Sequence, residues 1–225
     1  MVKLEMKNIS IEFPGVKALD DVEFFAQSAR VHALIGANGA GKSTLMKVLA
    51  GSYDHYTGEI LINGKSCTIK SPRHAQNVGV QIVYQEVDTA LIPYLTVAEN
   101  ILLNELVLVK EKNRIIRWKD IYQRAQLILD DLNLTIDSKK LVSELSLAEK
   151  QMVLIARAVS FKCQYLILDE PTAPLSNSET KELFRIVNEL KKKDVSIIFI
   201  SHRLPELFDI CDDITVMRDG QFVAR

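Results

Sequence analysis

The stretch Gly36-Ala37-Asn38-Gly39-Ala40-Gly41-Lys42-Ser43 decides how this chain folds. It satisfies the pattern G-x-x-x-x-G-K-[ST]. An apolar run, Val31–Ile35, precedes it, and a helical stretch over 44–50 follows. Glycines in this setting let backbone N–H groups turn inward around phosphate oxygens, and the helix adds the positive end of its dipole. Gly36, Asn38, Gly39, Ala40, Gly41, Lys42, Ser43 and Thr44 are therefore the candidate phosphate-binding residues. Lys42 would reach the β- and γ-phosphates of a nucleotide, and Ser43 would offer its hydroxyl to Mg2+. A glycine-rich turn with a chance lysine would not also need a buried strand before it and a helix after it.

Two further apolar runs, 165–168 and Ser196–Ile200, resemble the run before the loop. Short, continuously apolar segments suit strands covered on both faces, as in a parallel sheet. Helical stretches after Lys42 and after Asn177 supply the crossovers that such a sheet requires. The run Tyr165-Leu166-Ile167-Leu168 ends in Asp169 and Glu170. Neighbouring residues on a strand point to opposite sides. That alternation directs Asp169 to the Mg2+ shell and Glu170 elsewhere, toward an attacking water, as general base. His202 follows the run Ser196–Ile200. Strand C-terminal ends of an open α/β sheet share one ligand crevice. His202 is thus a candidate to hold the γ-phosphate or position water. His32, His55 and His74 have no such setting and read as structural or exposed.

Around this sheet lies other architecture. Residues 2–13, 22–26 and 59–69 read as strands, with Asn63-Gly64 as a hairpin turn, and together they suggest an antiparallel subdomain. Residues 96–160 read as helical, with Ile121, Ala125, Ile128, Leu129 and Leu132 on one face. Asp219-Gly220 marks a second hairpin in 214–225, and the abrupt stop there suggests a fragment of a longer protein. Lys191, Lys192 and Lys193 read as a solvated helix end that complements the helix dipole.

The 225 residues carry a net charge of -1, which lacks the basic excess of a nucleic-acid binder, so no nucleic-acid partner is expected. Cys67, Cys163 and Cys211 have no metal-like spacing and suggest reduced thiols, with Cys163 buried beside a strand. No signal-like or bilayer-length apolar run is present, so a membrane role requires a partner.

These motifs, in this order, resemble the nucleotide-binding domain of ABC transporters over essentially the whole chain. The resemblance implies an α/β fold: a RecA-like P-loop core with an antiparallel β subdomain and an inserted α-helical subdomain. Its expected division is a core over 1–86 and 161–225 and a helical signature subdomain over 87–160. Gln85, in Ile82-Val83-Tyr84-Gln85-Glu86, matches the family's Q-loop glutamine, implied to contact Mg2+ or the attacking water. Phe13 looks like the aromatic that stacks on adenine, against the plainer reading of a core aromatic. Leu145-Ser146-Leu147-Ala148-Glu149-Lys150-Gln151 aligns with the signature, which usually reads LSGGQ. Ser146 would then cap a nucleotide held by a second domain. Ala173-Pro174-Leu175-Ser176 occupies the D-loop position, where the family usually ends in aspartate.

Leu147, Ala148 and Glu149 depart from that signature. A bulky side chain limits the approach of backbone N–H groups, and Glu149 adds negative charge near an anion. Ser146 with Glu149 also fits a helix capping box. The site that this signature caps is expected to turn over more slowly than the site built from Lys42, Asp169, Glu170 and His202. Glu12-Phe13-Pro14-Gly15-Val16-Lys17-Ala18-Leu19, Leu95-Thr96-Val97-Ala98-Glu99-Asn100-Ile101 and Gln151-Met152-Val153 look like the ATPases of bacterial monosaccharide (ribose/galactose-type) importers, in the first of two tandem domains.

The implied activity is Mg2+-dependent hydrolysis of ATP that drives a transporter. The implied partners are a second ABC ATPase domain (tandem or homodimer), membrane permease subunits and, indirectly, an extracytoplasmic solute-binding protein. The implied place is the cytoplasmic face of the cell membrane, peripherally. Two other readings stay open: a soluble ABC ATPase in translation or repair, and an ATP-binding regulatory module with little turnover.

Overall fold

The computed structural model describes residues 3–111 and 116–225. Val2, expected to open the first strand, and residues 112–115 of the expected helical stretch lie outside the described residues. The strands in chain order are β1 (Lys3–Phe13), β2 (Val16–Gln27), β3 (Val31–Ile35), β4 (Thr57–Ile62), β5 (Lys65–Ser66), β6 (Val80–Val83), β7 (Tyr165–Asp169), β8 (Ser196–Ile200), β9 (Asp213–Arg218) and β10 (Gln221–Ala224). The α-helices are α1 (Lys42–Leu49), α2 (Pro72–Asn77), α3 (Val87–Ala90), α4 (Val97–Ile101), α5 (Leu103–Glu111), α6 (Trp118–Asp131), α7 (Leu147–Ser160), α8 (Asn177–Lys192) and α9 (Leu204–Ile210).

Two sheets organise the molecule. A four-stranded sheet, ordered β2-β1-β4-β5, is antiparallel throughout. Asn63 and Gly64 form its hairpin turn with φ of 56° and 74°, the positive values for which this pair is suited. The larger sheet has the order β10-β9-β3-β8-β7-β6. Its strands β6, β7, β8, β3 and β9 run parallel, and β10 returns antiparallel to β9. Two features of this sheet were not expected from sequence. β6 reads Val-Gln-Ile-Val, too short and too broken by Gln81 for a continuous apolar signal. β9, expected only as a hairpin arm, also pairs in parallel with β3.

Alternation along the parallel strands supplies two cores. Leu34, Tyr165, Ile167, Ile198 and Ile200 face α1 and the antiparallel sheet, where they pack with Leu45, Met46, Leu49, Leu4 and Met6. Val31, Ala33, Leu166, Leu168, Ile197 and Phe199 face the opposite way, onto apolar residues of α4, α6, α7 and α8. Each fully buried Leu, Ile or Phe contributes about 1.5–3 kcal/mol relative to exposure. Coverage on both faces explains why these strands lack a polar face.

Between β6 and β7 the described chain carries the helices α3 to α7, with a non-helical stretch over 133–141 that bridges Leu141 to Thr96. Ile121, Ala125, Leu129 and Leu132 are buried there, and Ile128 packs against them. The lysines at the end of α8 are paired: Lys191 with Asp212 at 2.6 Å, Lys192 with Glu189 at 2.8 Å, and Lys193 with Asp131. No helix among the described residues is long and apolar enough to cross a membrane.

Candidate functional site

The chain turns sharply between β3 and α1. A Cβ at Gly36 would lie 2.3 Å from the carbonyl oxygen of Met217, so only glycine fits beside β9. Gly41 caps α1 with φ 95°, and a Cβ there would meet Leu19 at 2.8 Å and the Ala18 carbonyl at 2.9 Å. The loop therefore packs directly on the backbone of two neighbouring strands. Lys42, at the first position of α1, is buried. Its ammonium donates to the carbonyls of Gly36 at 2.8 Å and Ala37 at 3.0 Å. An ammonium has three donors, so the loop folds around a cation with hydrogen-bonding capacity to spare.

A cleft of about 890 Å³ opens over this loop. Residues Gly36 to Thr44 line it, together with Gln85, Asp169, Glu170 and His202. The structure thus brings the sequence-predicted phosphate, Q-loop, acidic and histidine residues to one place. Asp169 ends β7, and burial, helped by the neighbouring charge of Glu170, raises its carboxyl above the usual value. Lys47, Lys42 and the Ser43 hydroxyl pull the other way. A partly buried carboxylate that needs a cation, beside a serine hydroxyl and a lysine, is a donor set that suits Mg2+ held on phosphates. Among the described residues no group of three His, Cys, Asp or Glu side chains is arranged to hold a metal ion by itself, so such an ion would draw its remaining ligands from phosphate and water.

Glu170 requires a correction to the sequence reading. Strand alternation does not separate it from Asp169, because both line the same cleft. Glu170 has already left the strand, with a left-handed φ of 49°. Its carboxylate lies 3.0 Å from Nδ1 of His202, whose ring is exposed. A non-glycine residue in this conformation is strained, and such strain concentrates at functional sites.

Phe13 and Ser146 stand outside the cleft lining. The Phe13 ring packs edge-on against Tyr53 at 5.1 Å and His55 at 5.4 Å, and Val16, Lys17 and Ala18 line the cleft instead. Ser146 caps α7: its hydroxyl accepts from Glu149 N–H at 3.2 Å, and Glu149 Oε2 accepts from Ser146 N–H at 2.7 Å. The Glu149 charge is therefore engaged at its own helix start. Ser176, at the D-loop position, caps α8 in the same way with Glu179. Sequence reading missed the cleft contribution of Lys17 and of the turn Asp219-Gly220. Only tertiary packing brings them in, and no local signal marks them.

The sequence profile of the family described as ABC transporter matches residues 19–173. This chain belongs to the ABC transporter family. Solved structures of such cassettes share its fold. A nucleotide-free ATP-binding cassette from an ABC transporter is 30% identical, with a TM-score of 0.87 over 100% of this chain and 90% of that one. The ADP conformation of an ATP-binding cassette of an ABC transporter is 29% identical, with the same TM-score of 0.87 and the same coverage, 100% and 90%. The protein cbiO1 from Clostridium perfringens, part of the ABC transporter complex cbiONQ, is 25% identical, with a TM-score of 0.83 over 98% of this chain and 86% of that one. The chain is an ABC ATPase domain with the α/β fold expected from a RecA-like core, of a family whose cassettes bind and hydrolyse ATP.

Proposed function

We propose that this ABC ATPase hydrolyses MgATP in the cleft over the phosphate loop to drive a bacterial sugar importer. The convergence of Lys42, Ser43, Gln85, Asp169, Glu170 and His202 on one cleft carries the hydrolysis part of this reading. Gly36, Asn38, Gly39, Ala40, Gly41 and Thr44 present backbone N–H groups to phosphate oxygens, and Lys42 balances their charge. Mg2+, held by Ser43, Asp169 and Gln85 or their waters, would supply charge neutralisation on the phosphates. Glu170 accepts the proton of the attacking water, and His202, bonded to that carboxylate, holds the γ-phosphate side. The barrier falls mainly by positioning and electrostatics. Phe13, at the end of β1 next to the cleft-lining Val16, is assigned to the adenine end.

Residues 87–160 are read as the helical signature subdomain and the remainder as the core, working as one cassette. Ser146 and its altered signature cap a nucleotide held by a second ABC ATPase domain, and Glu149 at that helix start makes the capped site the slower one. Membrane permease subunits are the moving partners, at the cytoplasmic face, with a solute-binding protein acting through them. The sugar assignment rests on the importer-like segments around Phe13, Thr96 and Gln151.

Glu170→Gln tests the mechanism. It should bind MgATP with unchanged affinity and lose about 10²–10⁴ in turnover. Wild-type turnover would remove Glu170 from the role. Co-purification with a permease of sugar-import specificity supports the biological reading, and capture on ribosomes or DNA contradicts it.

A further inference from the structure

Two turns leave the C-terminal ends of the paired strands β7 and β8. The first carries Glu170 and the second carries His202. The left-handed turn at Glu170, with φ 49°, is strained and persists only when its surroundings enforce it. One restraint is the Glu170 N–H, which donates to the carbonyl of Ile200 at 2.9 Å. The other comes from α9. Thr172 is fully buried, and its hydroxyl donates to Oε2 of Glu206 at 2.5 Å. Arg203 donates to Oε1 of Glu206 at 3.0 Å and reaches the carbonyls of Thr172 and Ala173, each at 3.4 Å. The Arg203 N–H in turn donates to the Ser201 hydroxyl at 3.1 Å.

One carboxylate therefore ties the segment that follows His202 to the turn that carries Glu170. An exposed ion pair would hold little. Glu206 differs because its side chain is only 17% exposed and one oxygen satisfies a buried hydroxyl. Neither Glu206 nor Arg203 lines the cleft, so neither is placed to touch nucleotide.

We propose that Glu206, through Thr172 and Arg203, is a positioning residue for ATP hydrolysis: it holds the Glu170 carboxylate against His202. This rests on Glu170 acting as the base. Without the tie the strained turn relaxes, and the carboxylate moves off the reacting water. A misplacement of about 1 Å costs roughly 10²-fold in rate.

The test is steady-state and single-turnover hydrolysis by Glu206→Ala and Thr172→Val in the assembled ATPase. Expected is a fall in kcat of about 10- to 100-fold with the KM for MgATP held within about twofold. In a Glu170→Gln background, Glu206→Ala should lower the residual turnover no further, because both changes disable one group. Thermal unfolding checks that each variant folds. If Glu206→Ala does not, Thr172→Val, which keeps the buried shape, decides the matter. Wild-type kcat in a folded variant, or losses that multiply with Glu170→Gln, would overturn the positioning role. Wild-type turnover by Glu170→Gln alone would instead overturn the base assignment.

Discussion

His32 shows what a single buried side chain does to the pH dependence of this fold. Its ring is 1% exposed, sits edge-on to Phe24 at 5.0 Å and bonds to the Thr215 hydroxyl at 2.7 Å through Nε2. Burial is the main cause that lowers its pKa to about 4 from 6.5. The unfolded chain thus takes up a proton before the folded one does. The contribution of His32 is complete above the unfolded value and is lost as pH falls from 6.5 toward 4, by about 3 kcal/mol in all. Urea unfolding across that range should show this loss, and His32→Leu should flatten it; an unchanged slope in the variant would assign the loss to other groups. Histidines also show the reach of sequence reading. The place of His202 in the cleft was legible because it follows a buried strand parallel to the one that carries the loop, whereas His32 was read only as structural or exposed, and it is buried. The surroundings of Phe13 were less legible. Phe13 packs on Tyr53 and His55, two residues about forty positions away that no local pattern links to it.

At the scale of elements, caps decide where the helices start. Ser146, Ser176 and Thr96 each form a complete capping box, with Glu149, Glu179 and Glu99 at the third position. The first of these was readable as S-x-x-E, because a cap is a short-range pattern. At α7 the cap has a second consequence, since the Ser146 N–H is already bonded to Glu149. Ser146→Ala should destabilise the fold by about 0.5–2 kcal/mol, read from the denaturation midpoint. A change within error would mean that α7 is held by its packing alone. The strand β6 was not legible for the opposite reason. Its four residues carry too little periodicity, and long-range pairing with β7 together with burial of Val80 and Val83 in the two cores fixes it at the sheet edge.

The whole molecule is two sheets clamped on α1, with a helical layer on the far face of the larger sheet. The parallel strands β3, β7 and β8 and the helices α1 and α8 were legible because strands covered on both faces read as unbroken apolar runs with helical stretches after them. Strand order and the entry of Asp219-Gly220 into the cleft were not, because both depend on long-range packing. This arrangement makes the loop over 36–44 the fixed point on which every functional assignment depends. Calorimetric titration of MgATP into the folded chain and into Lys42→Ala tests it most directly. The wild type should bind more tightly with Mg2+ than with EDTA, and Lys42→Ala should lose at least about tenfold in affinity, or ~1.4 kcal/mol. A folded wild type that does not bind MgATP, or a Lys42→Ala variant with wild-type affinity, would contradict the assignment of this loop as the nucleotide grip.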